Sequence, residues 1–512
     1  MTKLPKWLRK RSAGVLLHPT SLPGGYGIGC LGESAYQWID FLSDAGMTYW
    51  QMCPVGPTGY GDSPYQVFSS SAGNPYFIDW APFVKLGYIQ HDHILNLVSP
   101  AESRVDFGLL YERFYPFMMH AFREFKSNPD PLIKLFGKIE LFTQEHKDWL
   151  LPYCTFQTLK SQNEFKPWWQ WSQSDSNQSI HTDGFDEQIE FHSFLQYLFR
   201  AQWKKLHHYA KSKNISLIGD LPIYVAPDSA DTWKNKELFQ IDDGNEFSSV
   251  AGVPPDYFNE KGQLWGNPLY HWQNNQEDGY RWWVQRIQDQ LDLFEVLRID
   301  HFRAFYDYWS IPKGSENAVN GKWVKGPGMD FWNKVGAQFP DLPFLAEDLG
   351  DINKGVRSLR DKIGLPGMAV LQFAFDGSPK NLYLPHNLKQ EVVLYTGTHD
   401  NDTSSGWYES APESTRSFFR NYLSVDGSTP GWDMLRYAYR TVSQLVVTPA
   451  QDLLSLGSDA RFNKPGEPSG NWNWRMTTGQ FRDLRNQSTE YLREQAILAG
   501  RWSKSLDHKD NV

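Results

Sequence analysis

The sequence predicts an α/β fold: a (β/α)8 TIM barrel with inserted, largely helical subdomains on its C-terminal face. Three observations lead there. Eight short, nearly continuous apolar runs recur along the chain, as strands buried on both faces do. Amphipathic helical patterns lie between several of them. Two of the gaps between runs are too long for ordinary βα loops.

The runs are Gly14–His18, Thr48–Pro54, Ile215–Asp220, Phe294–Asp300, Pro343–Asp348, Met368–Phe373, Val392–Thr396 and Leu445–Thr448. After the first, Ala35, Trp38, Ile39 and Leu42 keep the spacing of a buried helix face, and Gly46 stands where a helix end belongs. Trp283, Ile287 and Leu291 repeat in the same way before the fourth run. Ile352, Val356, Leu359 and Ile363 do so after the fifth. Periodicity alone does not separate a barrel from an open doubly wound sheet. The count of eight favours the barrel.

About 160 residues part the second run from the third and about 75 the third from the fourth, so inserted segments are expected there. They are read at 61–210 and 221–292 within a single catalytic barrel spanning 1–512. The first holds two helix-like stretches, Tyr111–Glu124 and Phe191–Ala210, and the aromatic stretch Trp168, Trp169 and Trp171. Segments that follow barrel strands project from the C-terminal face, where barrel active sites form.

Composition narrows the function. With 50 Lys+Arg against 59 Asp+Glu, the net charge of −9 argues against a nucleic-acid partner, which needs a basic face. No apolar run reaches the roughly 20 residues that span a bilayer, so no membrane role is expected. Met1–Arg11 is basic, but no signal-peptide pattern follows, and a cytoplasmic location is expected. Cys30, Cys53 and Cys154 form neither a disulfide framework nor zinc-ligand spacing. The 22 Trp, 25 Tyr and 32 Phe must mostly pack the core. A minority on loops, including Tyr60, Tyr257, Phe258, Trp265 and Trp472, has the chemistry to stack on sugar C–H faces.

Three strands end in carboxylates: Asp300 in LRIDHFR, Glu347 in FLAEDLG and Asp400 in YTGTHDND. A carboxylate at the end of an apolar strand is costly unless paired or used. Three of them on one barrel converge on one pocket. Without metal-ligand histidines beside them, they suit glycoside chemistry, with one carboxylate as nucleophile and one as acid. Arg298, two residues before Asp300, shares its strand face and keeps a nucleophile ionised.

These three segments, in this order and spacing, resemble the 4-alpha-glucanotransferases of the amylomaltase or disproportionating-enzyme type. The resemblance extends to HPTSLPGGYGIGCLG, PVGPTGYGDSPYQ, GDLPIYVAPDSADTW, AGVPPDYFNEKGQLWGNPLYHW and GNWNWR. It implies that Asp300 is the nucleophile of a covalent glucosyl-enzyme, Glu347 the general acid/base and Asp400 a transition-state stabiliser. It places Asp220, Arg298 and His399 around the cleaved bond and Tyr60 beneath the same sugar. It makes 251–270, with Asp256, Tyr257, Phe258 and Trp265, a channel loop that selects sugar over water. Asn267 and Asn471 are read as sugar-hydroxyl partners. The implied substrates are maltooligosaccharides or other α-1,4-glucans as donors, with glucose or glucan as acceptor, and no cofactor or metal.

Other signals are set aside. Gly27 to Gly32 matches G-x-G-x-x-G, but no strand leads directly into it and the second run ends in Cys53-Pro54 rather than an acid. His91-Asp92-His93 lacks a third ligand. Two rivals stay open on the residues alone: a retaining α-1,4-glucan hydrolase with the same carboxylates, and a non-catalytic glucan-binding barrel.

Overall fold

Each of the eight apolar runs becomes a strand of one parallel sheet. The computed structural model describes residues 4–24, 26–59, 61–90, 92, 94, 101–172, 184–255, 259–350, 352–467 and 469–502. The strands, in chain order, are β1 (Ser12–Leu16), β2 (Tyr49–Gln51), β3 (Ser216–Pro222), β4 (Ser249–Val253), β5 (Gln263–Pro268) and β6 (Val296–Asp300). They continue as β7 (Asp307–Pro312), β8 (Lys322–Lys325), β9 (Phe344–Ala346), β10 (Gly367–Val370), β11 (Val392–Tyr395) and β12 (Leu445–Pro449). The parallel sheet runs β10-β11-β12-β1-β2-β3-β6-β9. Its two ends meet where Ala346 N–H donates to Pro366 O at 2.9 Å. The fold is a (β/α)8 barrel.

Strand alternation sorts the side chains into two cores. Leu16, Tyr49, Ile218, Val296, Leu345, Val370, Val393, Tyr395 and Val447 fill the barrel interior. Their neighbours Val15, Trp50, Leu217, Leu297, Phe344, Ala369, Leu394 and Val446 face the surrounding helices. The interior is stoppered at its N-terminal mouth by the turn Lys6–Leu8. Leu8 joins the interior cluster, and Tyr49 Oη donates to Trp7 O at 2.6 Å.

The helices form where the periodicity places them. Glu33–Asp44 buries Ala35, Trp38, Ile39 and Leu42, and Gly46 just beyond it adopts φ +74°, which favours glycine. Arg281–Leu291 buries Trp283 and Ile287. The helix after β9 begins at Lys354 rather than at Ile352, because the Asn353 side chain caps it by accepting from the N–H groups of Gly355 and Val356. The G-x-G-x-x-G segment holds a turn: a Cβ on Gly29 would stand 1.9 Å from Pro19 O.

Between β2 and β3 lie the helices Phe107–Ser127, Asp130–Phe136, Ile139–Glu145, Lys147–Gln162 and Phe185–Ser212. The last packs on the barrel, where Trp203 Nε1 donates to Leu293 O at 3.0 Å. After β3 the structure adds something the periodicity does not mark. β4 and β5 pair with β7 and β8 in an antiparallel sheet ordered β5-β4-β7-β8. These strands are half-exposed and rich in glycine, asparagine and lysine, so neither alternation nor an apolar run reveals them. This small sheet forms one wall of the cleft above the barrel.

Candidate active site

The chemistry of the barrel mouth follows from the period of two. On β6, Val296, Arg298 and Asp300 point inward in succession, passing from apolar core to charge to open cleft. Parallel register sets Asp220 of β3 opposite Arg298 and Pro222 opposite Asp300. The Arg298 guanidinium therefore bridges two carboxylates, with Nη1 2.6 Å from Asp220 Oδ2 and Nη2 2.9 Å from Asp300 Oδ1. Asp220 and Arg298 are buried, Asp220 below the cleft and Arg298 in its floor, while the Asp300 side chain is 27 % exposed. A planar five-donor cation suits this double contact in a way lysine does not.

Glu347 follows Ala346, the last residue of β9, and is held by backbone. Its Oε2 accepts from His301 N–H at 2.9 Å and its Oε1 from Leu349 N–H at 2.9 Å. Burial pushes this carboxyl up to about 7; Arg298 opposes that rise and Asp300 adds to it. Asp220 is raised to about 6, again by burial, against the pull of Arg298. The His301 imidazole is driven down to about 4 by burial and is neutral, with Trp265 edge-on at a centroid distance of 4.8 Å.

Asp400 enters from the loop after β11. Its Oδ1 accepts from Asn463 Nδ2 at 2.6 Å and lies 3.3 Å from His399 Nε2. Arg461 Nη2 donates to its backbone oxygen at 2.6 Å. Tyr65 binds these groups together. Its hydroxyl donates to Asp220 Oδ2 at 2.7 Å and lies 2.9 Å from His399 Nε2. Its ring stacks on His399 at 5.2 Å, backed by Trp472 at 5.8 Å.

Asp300, Glu347, Asp400, Arg298, His399, Trp265, Asn267 and Asn471 all line one cleft of about 2610 Å³. Asp220 lies just below it. The two asparagines already have protein partners. Asn267 Nδ2 donates to Val225 O at 2.8 Å, and Asn471 accepts from Lys464 N–H at 2.8 Å while donating to Glu467 O at 2.9 Å. Trp472, read as a loop aromatic, is buried behind Tyr65. Tyr60, Asp256, Tyr257 and Phe258 lie outside the described residues, as do His91 and His93. Sequence reasoning missed Tyr65, although it stands five residues after Tyr60 in the same GYGDSPY motif. It also missed Arg461 and Asn463, which no spacing rule marks.

An Asp/Glu/Asp set with one arginine-held member and one neutral-leaning member, in a large aromatic-lined cleft, is the equipment for retaining glycosyl transfer. The profile of glycoside hydrolase family 77, described as 4-alpha-glucanotransferase, matches residues 17–481. The chain belongs to the 4-alpha-glucanotransferase family. It is 45 % identical to the 4-alpha-glucanotransferase of Thermus thermophilus, over 92 % of this chain and 96 % of that one. It is 41 % identical to the Synechocystis 4-alpha-glucanotransferase, over 95 % and 98 %. Against the chloroplastic/amyloplastic enzyme of Solanum tuberosum, identity is 37 % over 97 % and 88 %. Among solved structures, amylomaltase from Streptococcus agalactiae in complex with acarbose superposes with a TM-score of 0.91 at 35 % identity, covering 96 % of this chain and all of that one. The enzyme is thus a 4-alpha-glucanotransferase. No helix among the described residues of this glucanotransferase is long and apolar enough to cross a membrane.

Proposed function

We propose that Asp300 is the nucleophile, Glu347 the general acid/base and Asp400 the transition-state stabiliser of a retaining double displacement. An Asp300 oxygen attacks the anomeric carbon as the glycosidic C–O bond breaks, and the Glu347 proton passes to the leaving oxygen. Glu347, now ionised, takes the proton of an incoming 4-hydroxyl, whose oxygen displaces Asp300. Two inversions give net retention. The observation that carries this reading is the contrast between the two carboxyls: Asp300 sits on the Arg298 guanidinium, whereas Glu347 is raised by burial to about 7.

Tyr65 supplies the aromatic face beneath the reacting sugar. Asp400, fixed by Asn463, is set to receive hydroxyl hydrogen bonds that tighten as the ring flattens. His399 and Asp220 orient these two groups. Trp265, which lines the cleft, favours an acceptor sugar over water. Donors are maltooligosaccharides or longer glucans, acceptors are glucose or glucan, and the enzyme works in the cytoplasm.

Maltotriose incubation tests the reading. A ladder of longer oligomers plus glucose, without a rise in reducing ends, is expected. Accumulation of maltose and glucose with rising reducing ends would mean hydrolysis and overturn it. D300N and E347Q should each abolish turnover while oligosaccharide binding persists.

A further inference from the structure

The small antiparallel sheet presents a second aromatic to the cleft. Trp323 on β8 is 39 % exposed and lines the same cavity as Asp300 and Glu347, yet it takes no part in the roles assigned above. A large exposed indole in a deep cleft carries a hydration penalty that a ligand face would relieve.

The mount of this ring is built rather than incidental. The Arg303 guanidinium lies 3.7 Å from the Trp323 ring centroid. Arg303 is itself buried, and its Nε donates to Asp307 Oδ1 at 2.8 Å. Asp307 Oδ2 also accepts from Asn353 Nδ2 at 3.4 Å, which ties the mount to the segment that follows Glu347. On the sheet, Trp309 packs against Trp323 at 5.1 Å and 66°, and its own Nε1 is anchored to Ala318 O at 2.8 Å. A buried ion pair and a tethered neighbour thus fix the indole before any ligand arrives, which lowers the ordering cost of binding.

Position selects the occupant. β8 lies three strands from β5, so Trp323 stands at the opposite edge of this sheet from the strand that carries Trp265. Arg303, stacked on the indole, lines the cleft together with Leu349 and Ile352 of the segment that follows Glu347, and Asp307 ties the Arg303 mount to that segment through Asn353. We propose that Trp323 is a sugar platform for the glucan segment on the Glu347 side of the cleaved bond, several units from it. It then sets acceptor-length preference. The inference rests on the assignment of Glu347 as acid/base.

The test compares isotope-labelled maltose and maltohexaose as acceptors with one fixed donor. In W323A, kcat/KM for maltohexaose should fall relative to that for maltose by about three- to tenfold, the worth of one aromatic stacking face, mostly through KM. W323F should restore most of the ratio. An unchanged ratio, or an equal loss for both acceptors, overturns the proposal. Thermal unfolding of W323A separates a folding defect, which W323F shares only if the indole is merely structural. Elongation of both acceptors by the unsubstituted enzyme checks the underlying reading independently.

Discussion

The backbone N–H of His301 donates to Glu347 Oε2 at 2.9 Å, so the residue after Asp300 positions the Glu347 carboxyl. His301 adopts φ +53°, a left-handed conformation that bends the chain directly after the β6 end. Asp300 and Glu347, the proposed nucleophile and acid, are therefore placed by one backbone turn.

The pH dependence of the two half-reactions follows from Glu347. Burial lifts it to about 7, so it is protonated below that value and ionised above. Cleavage of an ordinary glucan donor needs the protonated form and should slow as pH rises through about 7. Transfer to the acceptor needs the ionised form and should speed up over the same range. A maltosyl fluoride donor, whose leaving group needs no proton, should show no such fall in single-turnover trapping. A fall of equal size with the fluoride would assign the ionisation elsewhere. The same shift makes the folded state the stronger proton binder. Its stabilisation is complete below about 4.5 and is lost as pH climbs towards 7. E347Q should accordingly gain more in Tm over the parent at pH 8 than at pH 4.

Arg298 joins Asp220 and Asp300 through the two ends of one guanidinium. R298M should leave two carboxylates crowded at the barrel mouth, at a cost of about 3–5 kcal/mol in unfolding free energy. R298K keeps the charge but not the fork, and kcat should drop about 10²-fold from misplacement of Asp300. Urea unfolding and steady-state transfer separate the two effects. Near-normal kcat in R298K would show that only charge, not geometry, matters here.

Tyr65 makes two distinct contributions. Its hydroxyl binds Asp220 Oδ2, whose partner oxygen Oδ1 is buried without a hydrogen bond. Y65F should therefore cost about 1–3 kcal/mol in stability and lower kcat with little change in KM, because the ring remains. Y65A removes the platform too and should raise KM for every donor. The split between kcat and KM in the two variants is the measurement; identical profiles would mean the ring does not touch the sugar.

The eight strands were legible because a parallel barrel buries both strand faces, leaving unbroken runs such as Phe294–Asp300 and Leu445–Thr448. The carboxylates stood out for the opposite reason: charge at the end of such a run has few structural explanations. Arg298 and Asp300 could be assigned to one face from spacing alone. The contact between Arg298 and Asp220 could not, since it depends on the register of β3 against β6 at a sequence separation of 78. The loop contributors were hidden for a related reason. Asn463 reaches Asp400 across 63 positions, and nothing local to either residue encodes that meeting. The β5-β4-β7-β8 sheet escaped because its strands are short, half-wet and interrupted by an α-helical stretch and by β6.

At the far mouth of the barrel, stability and activity should separate. Leu8 is 1 % exposed and packs into the interior cluster with Leu16, Ile218, Val296 and Leu445. The N-terminal turn packs against this cluster through Leu4, Trp7 and Leu8, and it is anchored by Tyr49 Oη on Trp7 O. L8A removes three carbons from a site that cannot collapse, since barrel strands on all sides are fixed by their ladders. The expected loss is about 2–5 kcal/mol, a large share of the roughly 5–15 kcal/mol that holds a domain folded. The proposed catalytic carboxylates lie at the opposite ends of these strands, above an intact layer that includes Tyr395 and Gln51, joined at 2.7 Å. Transfer kinetics below the unfolding transition should match the parent while the Tm falls by several degrees. A change in KM at temperatures where L8A is fully folded would show that the plug sets strand positions at the catalytic end.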